Sequence, residues 1–253
     1  MEIEYRLDGP EGAPLLVLAN SLGTTYEMWQ PQLEAMTAHH RVLRFNARGH
    51  GATPLPAGPL TLAQLGSDVI TLLDHLGVER AGFCGISMGG QTGLWLNRHH
   101  PGRFHALAVA NTAARIGTRE GWQDRARLVR EQGLTPVAVG SAERWFTPAF
   151  RQRHPEQVAA LIRALAAGNA AGYAACCEAL AVADLREDLH HLSRPMLVIG
   201  GQHDPVTTVA DASEIVRAAP NAELHLLPAS HLSNVETPDA FSAAVLHFFR
   251  RAA

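Results

Sequence analysis

The sequence predicts an α/β protein with a mostly parallel central sheet, helices on both faces and an inserted helical cap. Short apolar runs alternate with longer segments of helical period, which is the pattern of β-α units. The most continuously apolar runs suit strands of a sheet covered on both faces. From about Arg115 to Asp188 the alternation stops, leaving Ala-, Arg- and Leu-rich helical pattern.

Taken in order, the expected strands are Leu15–Asn20 (LLVLAN), Arg41–Asn46 (RVLRFN), Ala81–Ile86 (AGFCGI), Phe104–Ala110 (FHALAVA), Pro195–Gly200 (PMLVIG) and Ala222–Leu227 (AELHLL). Between the second and third, Leu62, Leu65, Val69, Leu72, Leu73 and Leu76 recur near helical spacing, and Gly77 stops the helix. Gly133, Pro136, Gly140, Pro148 and Pro155 punctuate the strandless region, so it reads as several short helices around Trp122, Trp145, Phe146 and Tyr173. A last helix is expected over Thr237–Arg250, with Thr237 as N-cap and Pro238 at its first position. The expected division is a core of residues 1–114 and 189–253 and a cap of residues 115–188.

Composition narrows the function classes. The 253 residues are 47% hydrophobic and 18% charged, with a net charge of −3, which fits a globular chain and offers no basic footprint for nucleic acid. All 21 basic residues are arginine. Without lysine there can be no Walker-type phosphate loop, no Schiff-base lysine and no Ser-x-x-Lys pair. Cys84, Cys176 and Cys177 form no C-x-x-C pair, which argues against structural zinc and for a reducing compartment. The opening MEIEYRLDGPEG is charged from its second residue, and no apolar run is long enough to span a membrane, so a cytoplasmic protein without a membrane partner is expected.

One motif carries chemistry. Gly85-Ile86-Ser87-Met88-Gly89 fits G-x-S-x-G, directly after a strand and directly before a helical run, as a nucleophile elbow requires. A serine on so sharp a turn brings its flanking positions against neighbouring backbone, hence glycine at both. Serine needs a base, and the base needs an orienting carboxylate. Asp204 lies just past the strand PMLVIG, and His231 just past the next strand, in the order Ser, Asp, His. The chain has 14 histidines, and position selects among them. His225 is inside a strand, His203 adjoins the proposed acid, and His39/His40, His99/His100 and His190/His191 sit at element ends. Adjacent histidines point apart and no H-x-x-x-H or H-x-E accompanies them, so no metal is assigned.

With these residues in place the chain resembles the α/β-hydrolase superfamily with a helical cap and, within it, the 3-oxoadipate enol-lactonases of aromatic catabolism. The similarity covers nearly the full length. Its most specific stretches are NSLGTTYEMWQPQ (Asn20–Gln32), RVLRFNARGHGAT (Arg41–Thr53), GISMGGQTGLWL (Gly85–Leu96), NTAARIGTREGWQDR (Asn111–Arg125), ERWFTPAF (Glu143–Phe150) and ASHLSNVETP (Ala229–Pro238). There are two departures: Asn46 replaces the common Asp of D-x-R-G-x-G, and Ser230 replaces the glycine often found before the catalytic histidine.

The resemblance implies hydrolysis of a γ-enol-lactone bearing an acetate arm, without a cofactor, by Ser87, His231 and Asp204. Backbone N–H groups of Leu22, after the strand LLVLAN, and of Met88 would form the oxyanion hole. The substrate is then a small lactone with a carboxylate, for which arginine is the natural partner in a chain without lysine. Arg115 and Arg125, at the junction into the cap, are the candidates, with Trp122 and Trp145 walling the ring. A broad carboxylesterase or a cofactor-free haloperoxidase-type relative would carry the same triad, and a slow lactone-sensing receptor can keep it too. Nothing in the sequence sets an oligomeric state.

Overall fold

The structure, a computed structural model, describes residues 2–252. It is one sheet with helices packed on both faces. The strands are β1 (Tyr5–Asp8), β2 (Leu15–Ala19), β3 (Arg41–Phe45), β4 (Ala81–Ile86), β5 (Phe104–Ala110), β6 (Met196–Gly201) and β7 (Ala222–Leu227). They lie in the order β1-β3-β2-β4-β5-β6-β7, with β1 antiparallel to β3 and the other pairings parallel. The six expected strands form within a residue of their expected ends. β1 was not expected: YRLD has no apolar run, and only its register with β3, from Tyr5 opposite Phe45 to Asp8 opposite Val42, makes it a strand.

Side chains alternate across the sheet and find a helical layer on each face. Leu16 and Leu18 of β2 join one cluster with Trp29, Phe241 and Val245, whereas Leu15 and Val17 join another with Val69, Leu72 and Leu73. The helices around the first four parallel strands are α1 (Leu33–Thr37), α2 (Leu62–His75) and α3 (Met88–His99). α2 begins at a capping box: the Thr61 hydroxyl accepts from Gln64 N–H, and Thr61 N–H donates to Gln64 Oε1 at 2.8 Å.

Between β5 and β6 the chain forms α4 (Arg119–Gln132), α5 (Thr135–Val139), α6 (Ser141–Trp145), α7 (Pro148–Arg153), α8 (Pro155–Ala166) and α9 (Ala170–Val182). α4 packs along α9. The neck of this insertion is tied where Leu185 N–H donates to Ala114 O at 2.9 Å. The chain then returns through β6, α10 (Val209–Ala218), β7, α11 (Ser233–Glu236) and α12 (Pro238–Ala252). Among the described residues, no single helix is long and apolar enough to cross a membrane.

The insertion docks on the core through bare backbone. Gly49, at φ +71°, faces Gly172 of α9 so closely that a Cβ on either glycine would collide with main-chain atoms of the other. Backbone cannot retreat as a flexible side chain can, so Gly172→Ala is expected to destabilise the protein by about 2–3 kcal/mol, the upper part of the range for overpacking. Thermal unfolding of the variant against the parent measures this, and an unchanged Tm would mean that α9 lifts freely.

Candidate active site

Three loops at the carboxyl ends of the strands build the site. β4 ends at Ile86 and α3 begins at Met88, leaving Ser87 between them at φ 57° and ψ −116°. The turn is held by Ser87 N–H donating to Ala110 O at 2.9 Å and by Thr112 Oγ1–H donating to Ser87 O at 2.8 Å. A Cβ on Gly85 would strike the Gly89 carbonyl, and one on Gly89 would strike the Ala19 carbonyl, so both flanking glycines are sterically required.

Ser87 Oγ lies 2.9 Å from His231 Nε2, and His231 Nδ1 lies 2.8 Å from Asp204 Oδ2. All three residues are buried, with His231 only 3% exposed. Asp204 also accepts from Val206 N–H, Thr207 N–H, Thr207 Oγ1 and Asn111 Nδ2, at 2.8 to 3.1 Å. Burial pushes the Asp204 carboxyl up. The facing His231 and these donors outweigh burial and hold it below its usual range. An ionised Asp204 can only accept, so His231 Nδ1 carries the proton and Nε2 is free to accept from the serine hydroxyl.

Asn111 was not singled out from the sequence. It follows β5 as Ser87 follows β4, and these two are the non-glycine residues with positive φ among the described residues. Its side chain donates to Asp204 Oδ2 and to Ser230 O, both at 3.0 Å, and accepts from Ser233 Oγ. It therefore braces the acid loop against the histidine loop. Asn tolerates left-handed backbone better than most residues, and an Asn just past a strand was the available signal.

The N–H groups of Leu22 and Met88 have no acceptor among the described residues, as an oxyanion hole requires. Their loops are fixed to each other by Gly89 N–H donating to Asn20 O at 3.1 Å. His50, also missed in the sequence, holds the neighbouring position. Its Nε2 accepts from Gly23 N–H at 3.1 Å, while Nδ1 lies 3.2 Å from Arg48 O, which fixes the neutral tautomer with the proton on Nδ1.

The substrate-facing candidates separate. Trp122 is buried, with Nε1–H donating to Ile116 O at 2.6 Å, and Trp145 is buried beside Phe146. Arg125 is half-buried and stacks over Trp122, 4.8 Å from the ring centroid. Arg115 instead points outward, 39% exposed and 4.0 Å from Asp184. The position at the junction suited both arginines, but the turn into α4 sends one side chain out and the other along the helix face.

Both departures from the family pattern have partners. Asn46 Oδ1 accepts from Tyr26 N–H at 2.8 Å, and its amide donates to Glu4 Oε2 at 2.6 Å, a donation an aspartate could not make. Ser230 Oγ donates to Arg144 O at 3.1 Å and also lies 3.3 Å from His203 O, linking the histidine loop to α6 and to the acid loop.

Residues 14–238 match the family model described as the alpha/beta hydrolase fold. The chain belongs to the α/β-hydrolase family. This α/β hydrolase is 52% identical to 3-oxoadipate enol-lactonase 2 of Acinetobacter baylyi over 98% of its own length and 93% of the relative's. It is 43% identical to 3-oxoadipate enol-lactonase 1 of the same organism, covering 94% of this chain and 90% of that one. Among solved structures, the enol-lactonase from Burkholderia xenovorans superposes with a TM-score of 0.96 at 43% identity, covering 98% and 96% of the two chains. The enol-lactonase resemblance read from the sequence is thereby borne out.

The buried His50 of this α/β hydrolase makes its stability pH-dependent. Burial pushes its pKa below the ordinary 6.5, so the folded protein leaves it neutral where the unfolded chain binds a proton. Its contribution is full above about pH 6.5 and is lost as pH falls towards the folded pKa, at up to about 1.4 kcal/mol per pH unit. Tm is therefore expected to drop between pH 7.5 and 5.5, and His50→Gln to flatten that slope. Some slope should remain, because burial lowers the pKa of His40 as well. An identical slope in the variant would show that His50 is already charged in the folded protein.

Proposed function

We propose that this α/β hydrolase opens 3-oxoadipate enol-lactone to 3-oxoadipate through an acyl-enzyme. What supports the chemistry is the unbroken relay from Ser87 Oγ through His231 to Asp204, with hydrogen bonds of 2.9 and 2.8 Å. What supports the substrate is the 52% identity to an enol-lactonase.

In the first step His231 Nε2 takes the Ser87 proton as Oγ bonds to the lactone carbonyl carbon, and the Leu22 and Met88 N–H groups bind the oxyanion. The tetrahedral species collapses by breaking the ring C–O bond, and the enol oxygen leaves and collects the proton from His231. An enol is a better leaving group than an alkoxide, so this step needs little acid assistance. The enol tautomerises to a ketone. Water then gives a proton to His231 and attacks the acyl-enzyme, and Ser87 regains its proton as the carboxylate departs. Asp204 stays ionised and holds the imidazolium that forms in each half-reaction.

We assign residues 115–188 the role of a cap that chooses the substrate, with Trp122 and Trp145 against the ring. Arg125 is retained for the carboxylate, and Arg115, paired outward with Asp184, is not. Three buried, unpaired cysteines suit a reducing compartment, so we place the reaction in the cytoplasm.

An assay with authentic enol-lactone tests the assignment: sustained turnover well above about 1 s⁻¹ is expected of a metabolic enzyme, and a rate far below it would indicate a lactone receptor. Ser87→Ala and His231→Ala are each expected to lower kcat by about 10⁶-fold, with the double variant little worse, because the pair acts as a unit. Asp204→Asn should cost about 10⁴-fold. A variant at His203 that hurts more than one at His231 would mean that the base is misassigned.

Activity is further expected to survive exhaustive chelation and thiol blocking. Burial pushes the Cys84, Cys176 and Cys177 thiols up, away from thiolate reactivity. Loss on EDTA treatment that zinc restores would overturn the serine mechanism.

A further inference from the structure

The loop after β2 is a turn that its own backbone closes at one point. Thr24 N–H donates to Ser21 O at 3.2 Å, which places Leu22 and Gly23 at the two central positions, and Gly23 has φ +79°. A closed turn with left-handed backbone at its third residue is of type II. Types I and II share the closing bond and differ in the way the central peptide faces. Closure alone therefore does not fix the peptide that joins Leu22 to Gly23.

His50 supplies the missing restraint. Its Nε2 accepts from Gly23 N–H at 3.1 Å, and that N–H belongs to the central peptide. The imidazole is itself held from behind: Nδ1 lies 3.2 Å from Arg48 O, His50 N–H donates to Ala47 O at 2.9 Å, and His50 O accepts from Thr53 N–H at 3.1 Å. Arg48 in turn grips Asp68 of α2 with two hydrogen bonds, of 2.6 and 2.7 Å. His50 is buried, so bulk water does not replace an acceptor lost there.

The opposite side of the turn rests on the insertion. A Cβ on Gly23 would lie 2.6 Å from Leu165 Cδ1 of α8 and 2.9 Å from Tyr173 Cε2 of α9. Gly49, the residue before His50, is also the one that docks on Gly172 of α9. Imidazole on one side and packed side chains on the other thus confine Gly23.

We propose that His50 is a positioning residue for the oxyanion hole: by holding Gly23 N–H it fixes the peptide after Leu22 and keeps the Leu22 N–H in place for the developing oxyanion. The inference rests on the serine mechanism proposed above and not on which lactone is opened. Donors of this kind act by standing ready before the charge develops. A turn that samples two peptide orientations has lost that readiness. Because the oxyanion exists only in the transition state and intermediate, the loss falls on kcat and spares KM.

Two variants separate the hydrogen bond from the volume of the ring. His50→Gln keeps an acceptor for Gly23 N–H, whereas His50→Leu fills the space without one. Hydrolysis of 4-nitrophenyl acetate by the full-length protein is the first readout: His50→Leu is expected to lower kcat by about 10²-fold, the lower end of the cost of losing one oxyanion donor, with KM little changed. His50→Gln should recover most of that loss. The second readout is inhibition by phenylboronic acid. Its boron takes Ser87 Oγ as a fourth ligand while the serine proton passes to His231 Nε2, and the resulting anionic borate sets an oxygen where the oxyanion would form. Its inhibition constant should weaken in His50→Leu by the same factor as kcat. Should His50→Leu fail to fold, His50→Asn, whose amide is too short to reach Gly23, carries the same test. Unchanged kcat in the folded variant, an undiminished boronate affinity, or a His50→Gln protein no better than His50→Leu overturns the assignment. Loss of ester hydrolysis in His50→Leu, in a protein whose parent cannot open the enol-lactone, would uphold His50 and sink the substrate reading instead.

Discussion

Ser87 is held in left-handed backbone, a conformation that costs about 1–3 kcal/mol for a residue with a Cβ and persists only where its surroundings enforce it. The enforcement reaches far through the molecule. β4 and β5 must lie in register for Ala110 O to meet Ser87 N–H, and α3 must lie against the end of β2 for Gly89 N–H to meet Asn20 O. The strain therefore draws on the parallel sheet itself. Its yield is geometric: the hydroxyl stands clear of strand and helix, within reach of a histidine from a distant part of the chain.

The same logic recurs one strand over. Asn111 takes the second strained position and spends its amide on Asp204 and Ser230, so adjacent strand ends hold the proposed nucleophile and the proposed acid. Electrostatics follow from that bracing. A buried carboxylate with four donors besides the imidazole stays ionised, and an ionised carboxylate fixes the histidine tautomer.

Much of this was legible in the sequence, for reasons that can be located. Strands β2 to β6 are buried on both faces and so announce themselves as apolar runs. β1 is a short, half-exposed edge strand whose identity depends on its neighbour. Ser87 could be found because its flanking glycines mark the turn directly after β4, and Asp204 and His231 because they lie just past β6 and β7 in the order that a serine relay needs. Asn111 offered only its place just past β5 as a signal, and His50 and Arg144 matter through contacts with residues far away in the chain, such as Arg144 with Ser230 and His50 with Gly23. No local pattern reports such contacts. Arg115 shows the converse: its sequence position suited the substrate, but the chain returning through the neck brings Asp184 to it from outside.

Ser230 and Leu232, the two residues flanking His231, are bonded to carbonyls of the α6 segment, and Glu236 ties Thr147 N–H and Ser230 N–H together beside them. The segment that bears Arg144 and Trp145 is therefore also a bracket for the proposed base. A shift of α6 would displace the imidazole at the same time, because both neighbours of His231 are bonded to it. Any rebuilding of this segment must therefore keep the Arg144 and Trp145 carbonyls in place, or the proposed base moves with them.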